Sequence, residues 1–183
     1  MKLIKIILVS LPLYLLSSFS SNSTSSFEPI LIREEIIFPP SVVDNKSHSN
    51  FLEAIGHRES GNRYDIVNPY GYMGRYQFGK STLRTLGYRV TRNEFLSNPL
   101  LQEEAMHSLL THNQYILRNY ITIYEGKNLW GVRVTKSGLL ASAHLAGAGN
   151  VIRFLNRGLD FSDKNGTKMT SYMKQFGGYR LNI

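Results

Sequence analysis

Asn98 and Pro99 do more than any other pair to limit how this chain can fold. Asparagine is a strong helix cap, and proline fits the first helical position, where its missing N–H costs nothing. Behind them Leu101, Ala105, Leu109, Ile116 and Tyr120 recur at spacings close to one helical turn. The spacing predicts one long helix over 99–120, with its apolar stripe facing a core.

The rest of the C-terminal three quarters reads the same way. Asn50 precedes Phe51, Leu52 and Ile55, with Glu53 three residues on, the pattern of a capping box; this helix should run to Glu59 and break at Gly61. Ser81 is placed to cap a short helix closed by Gly87. Further helices are expected over 136–146 and 149–157, and a last one from a Thr167 cap to Phe176. The pattern predicts a mainly α domain over 49–183, without internal repeats.

Upstream the character changes. Lys2 and Lys5, the apolar run Ile6 to Leu16 and the small residues Ser17 to Ser21 are the three parts of a secretory signal peptide, so 1–21 is expected to be removed on export. The run is too short to cross ~30 Å of hydrocarbon, with an uncleaved anchor as the alternative. Residues 22–48 are rich in Ser, Asn and Pro and read as a linker or arm. Its one apolar patch, around Ile36 to Phe38, ends in Pro39-Pro40 and suits an edge strand or strap. The expected location is periplasmic or extracellular, against the cell wall.

With no cysteine in the chain, disulfides, Cys-ligated metals and lipoprotein anchoring are excluded. A formal net charge of +8, or +6 once Lys2 and Lys5 are removed, favours an anionic partner. Basic residues are scattered, and no nucleic-acid-binding signature is present. His107 and His112 are five apart, which does not suit a two-histidine metal face on a helix. Asp163 to Gly166 cannot be a calcium loop, because Phe161 and Tyr172 would fall where carboxylates are required. Neither a metal nor a cofactor is expected.

Chemistry concentrates in Glu59 to Gln77, ESGNRYDIVNPYGYMGRYQ. A carboxylic acid ends a helix, and a stretch rich in Gly, Asn and Tyr follows. Glycines let a backbone approach a ligand, and tyrosines stack on sugar faces while offering a hydroxyl. A carboxyl buried among aromatics is expected to have a raised pKa, as a general acid needs.

Glu59-Ser60, Asn68, Gly71, Gly74 and Gln77 resemble, without a gap, the first motif of the lytic transglycosylases of the lysozyme-like superfamily, which are related to goose-type lysozyme. Asn98-Pro99 with Gln102 is similar to the family's helix entering behind the site. The Ala143 to Val151 stretch is similar to its Ala-Tyr-Asn-x-Gly segment, with His144 where tyrosine is usual and Leu145 where asparagine is usual. Arg75-Tyr76 stands in place of Leu-Met. The resemblance covers about 49–160 and implies a lysozyme-like domain with a groove that takes peptidoglycan strands. Glu59 would be the catalytic acid and base, and Ser60, Asn68, Tyr76, Gln77 and His144 the substrate-binding set. Tyr76 would cover a sugar face, while His144 has two readings, a groove donor or a core residue.

Two carboxyl groups normally serve glycoside hydrolysis. Asp65, Glu53, Glu103, Glu104, Asp160 and Asp163 are the candidates for a second, and no spacing demands any of them. Glu53 falls nearly opposite Glu59 on one helix, and Glu103 and Glu104 complement the dipole of the long helix. A single acid suffices if the substrate's acetamido oxygen stabilises the anomeric cation and its 6-hydroxyl closes on C1. The resemblance implies that lytic transglycosylase reaction. A muramidase or a non-catalytic wall-binding module are the alternatives.

Overall fold

A computed structural model describes residues 46–183. The expected signal peptide and all but the last three residues of the arm lie outside the described residues. Order runs α1 (His48–Ser60), α2 (Lys80–Thr85), α3 (Arg92–Leu96), α4 (Pro99–Tyr124), a hairpin of β1 (Asn128–Leu129) and β2 (Val132–Arg133), then α5 (Lys136–Ala146), α6 (Ala148–Arg157) and α7 (Met169–Gln175). The domain is mainly helical, as the periodicity implies. No helix among the described residues is long and apolar enough to cross a membrane.

The long helix α4 forms where its cap predicts. The Asn98 side chain accepts from the Leu101 N–H at 3.1 Å, and Pro99 opens the first turn. It continues past 120 to Tyr124, because the first break is Gly126, with φ 83°. Met106, Leu110 and Leu117 lie on its buried face, and the helix packs on α5 and α6. In α5 every residue from Ser137 to Ala143 is buried. A helix apolar on all sides belongs at the centre of a domain, and α5 indeed packs on α4, α6 and α7.

Three caps differ from expectation. Ser47, not Asn50, caps α1: its Oγ accepts from the Asn50 N–H at 3.2 Å, so Asn50 lies inside the helix. Gly79 precedes α2, and Ser81 lies within it. Lys168 precedes α7, since the Thr167 N–H is drawn to Asp163 Oδ1 at 2.7 Å. The folded part also begins before 49. The Lys46 carbonyl accepts from Arg180 N–H at 2.7 Å, and its ammonium lies 4.0 Å from the Tyr179 ring centroid. Two short elements were not foreseen. One is α3, opened by a reciprocal Thr91–Glu94 capping box; the other is the β1–β2 hairpin. Trp130 and Gly131, at φ 52° and 75°, supply the left-handed turn that a two-residue hairpin needs.

Candidate active site

Glu59 sits in the last turn of α1, just before Gly61 turns the chain into the left-handed region at φ 66°. The chain then loops out and folds back on itself, with Met73 bridging to both Val67 and Phe78. Asn68 shapes the tip: its Oδ1 accepts from the N–H groups of Tyr70 and Tyr72 at 2.9 and 3.0 Å.

Two residues of α4 hold this loop from behind. Gln102 is fully buried; it accepts from the Arg75 N–H at 2.8 Å and donates to the Tyr64 and Phe95 carbonyls, each at 2.9 Å. Gly74, at φ 73°, lies against this amide, and a Cβ there would overlap Gln102 Oε1. Glu103 collects Arg75 Nη1 at 2.8 Å and the hydroxyls of Tyr64 and Tyr76, each at 2.7 Å. Its carboxylate is therefore engaged in anchoring the loop, a larger role than complementing the helix dipole.

This arrangement corrects two members of the expected binding set. Tyr76 is 0% exposed, with its hydroxyl on Glu103, so it cannot cover a sugar face. Ser60 is buried and ties the loop to α1: its Oγ bonds the Arg75 carbonyl at 2.8 Å and accepts from Arg63 N–H at 2.9 Å. The remaining members come together. Glu59, Asn68, Gln77 and His144 line one cavity of about 150 Å³, with the half-exposed rings of Tyr70 and Tyr72 beside them. Gln77 holds φ 51° and donates from Nε2 to the Gly74 carbonyl at 2.8 Å.

The Glu59 side chain is 16% exposed. Its Oε1 accepts from the Tyr172 hydroxyl at 2.7 Å and lies 3.6 Å from His144 Nε2. The His144 ring also packs edge-on against Phe78, with centroids 6.0 Å apart. Its core and site readings therefore both hold. Burial pushes the Glu59 carboxyl up, but His144, Tyr172 and the charge of Arg58 together outweigh it and hold the carboxyl below its ordinary value. The raised acid expected from the sequence is reversed, because the wall contains donors as well as rings. Burial and the facing carboxylate push the Tyr172 phenol up, so it stays a donor.

The far wall is the turn that carries Asp163, one of the candidates for a second carboxylate. Asp163 Oδ1 accepts from the N–H groups of Asn165 and Thr167, and Asp163, Lys164 and Asn165 line the Glu59 cavity. The Tyr70 hydroxyl reaches Asn165 Oδ1 at 3.3 Å. Among the sequence's candidates for a second carboxylate, Asp163 is the one that lines this cavity. Glu53 lies near Arg75 at 4.0 Å, and Asp160 holds Thr170 on α7. Tyr172 was missed too; its only sequence signal is a place on the apolar stripe of the last helix.

No protein-family model, curated protein or solved structure matches the chain.

Proposed function

We propose that the chain is a lytic transglycosylase of lysozyme-like fold that cuts the β-1,4 bond between N-acetylmuramic acid and N-acetylglucosamine in peptidoglycan. The observation that carries this proposal is the setting of Glu59: a largely buried carboxyl in a cavity shared with the motif residues Asn68 and Gln77 and two tyrosine rings. In its acid form Glu59 gives its proton to the glycosidic oxygen as the C1–O bond breaks. The 2-acetamido oxygen of the muramic residue stabilises the cation at C1. The 6-hydroxyl then attacks C1, Glu59 takes back the hydroxyl proton, and a 1,6-anhydro end is left. Tyr172 and His144 stabilise the carboxylate between the two proton transfers. They favour release of the proton in the first transfer, weaken the carboxylate as a base for the second, and confine the acid form to acidic conditions. The signal-like N-terminus supports action outside the cytoplasm, at the wall.

Asp163 favours one other reading. A water held between it and Glu59 would make the chain a muramidase. Mass spectrometry of muropeptides released from purified sacculi tests both. Anhydromuramyl ends are expected. Reducing muramic ends carrying oxygen-18 from labelled water would establish the hydrolase, and no release at all would leave a wall-binding module.

A further inference from the structure

A second cavity, of about 480 Å³, adjoins the Glu59 cavity and shares Tyr72, Gln77, His144 and Leu145 with it. Three of its features point to one kind of ligand. Its floor is the start of α6, where Gly147 turns the chain sharply at φ 80° and no side chain caps the helix. A helix leaves its first N–H groups without internal partners and carries partial positive charge there. Those of Asn150 and Val151 turn back to the Gly147 carbonyl, which leaves Ala148 and Gly149 to face the cavity.

Beside that floor are two unsatisfied side chains. Asn113 of α4 is 4% exposed, lines the cavity, and its Nδ2 is buried with no partner. His144 has a side chain 7% exposed, and its Nδ1 is likewise buried without a partner while Nε2 faces Glu59. A buried amide with no partner is costly unless a ligand completes it. Finally, no aspartate or glutamate lines this cavity, whereas the Glu59 cavity has two acids.

We infer that this cavity is a carboxylate-binding subsite, in which the N–H groups of Ala148 and Gly149, with Asn113, receive an acidic group of the bound strand. Helix N-termini favour carboxylates for the reasons that make them anion sites generally. That the ligand is muramic rests on the function proposed above. On a glycan strand the free carboxylate comes from one of two places: the lactyl group of a muramic residue stripped of its peptide, or the end of an intact stem. The lactyl source implies that an amide-hydrolysing step, which frees that group, precedes cleavage.

The test is binding, not turnover. The 15N-labelled protein is titrated with N-acetylmuramic acid, with its methyl ester and with muramyl dipeptide. The acid should move the amide resonances of Ala148 and Gly149, and the ester should bind about tenfold more weakly or worse, about 1.4 kcal/mol. A response to muramyl dipeptide alone would support the subsite and assign it to the stem. Equal response to acid and ester, or no movement at Ala148 and Gly149, would overturn it.

Gly149→Asp supplies the variant. A Cβ at Gly149 meets open space, and an acid in the first turn suits the helix dipole. The variant should melt no lower than the parent, yet lose the response to the acid; a retained response would overturn the subsite. Free N-acetylmuramic acid has no glycosidic bond, so the result is independent of cleavage. A chain that lyses sacculi but ignores both the acid and the dipeptide refutes only the subsite. One that binds the acid but releases nothing refutes only the reaction.

Discussion

Tyr172 donates its hydroxyl to Glu59 at 2.7 Å, joining the last helix to the first across 113 positions of sequence. The carboxyl that the proposed function needs is thus held from outside its own motif. With His144 on the same oxygen at 3.6 Å, Glu59 lies between two side chains that favour its charged form. Its environment, and not its position alone, sets when it can act as an acid.

Glu59→Gln should abolish lysis of sacculi while leaving the melting curve where it was. The amide keeps the shape and can still accept from Tyr172, but it has no proton to give. Lysis near the parent rate in a normally folded variant would remove Glu59 from the mechanism.

His144→Phe should move the alkaline limb of the pH profile to higher pH. His144 is the leading influence lowering the Glu59 pKa, and without it burial is opposed by Tyr172 and Arg58 alone. The acid form exists below the pKa, so a raised pKa extends activity toward neutral pH. His144→Tyr, which keeps a donor but never carries positive charge, should shift the limb less. Clearance of sacculi between about pH 4 and 8 gives the limb for the free enzyme through kcat/KM. An unmoved limb in His144→Phe would show that this imidazole does not set the acid.

Tyr76→Phe should cost about 1.5–3 kcal/mol of stability, the loss of one hydrogen bond to a charged acceptor, and leave the pH profile unchanged. Tyr76 bonds Glu103 and does not touch Glu59. Urea denaturation gives the first quantity and sacculus clearance the second. A shifted profile would restore Tyr76 to the site.

Gln77→Ala should reduce activity by up to about 10²-fold, as expected for a displaced substrate, with the pH limb in place. Gln77 lines the Glu59 cavity and spends its amide N–H on the Gly74 carbonyl, leaving the oxygen to accept from a ligand. Full activity would reduce Gln77 to a loop-packing residue.

Gly74→Ala should destabilise the domain by more than about 1 kcal/mol, through its left-handed backbone and its clash with Gln102. In a Gln102→Ala background the clash is gone, so the same substitution should cost less. A double-mutant cycle by chemical denaturation measures that coupling. Strict additivity would mean that the amide and the glycine are not in contact.

Much of this was legible because it is local. The Asn98-Pro99 cap, the stripe of α4 and the placing of Glu59 before a turn all follow from neighbours within a few residues. The caps of α1 and α7 were misplaced because several residues at each end could serve, and tertiary bonds decided between them. Tyr76 was misread because a tyrosine's hydroxyl suits a sugar or a buried carboxylate equally well. Only the position of Glu103, 27 residues on, selects the second. Tyr172 reaches Glu59, and Asp163 the cavity, through the placing of α7 and its preceding turn, and no spacing in the chain encodes that meeting.

Gln102 reads three backbone groups from three different places, the Arg75 N–H and the carbonyls of Tyr64 and Phe95. One amide thus fixes where the tyrosine loop lies against the long helix. The loop is consequently not a portable module. Moved into another scaffold, the stretch from Glu59 to Gln77 would keep its letters and lose its shape, unless the glutamine at the start of α4 travelled as well.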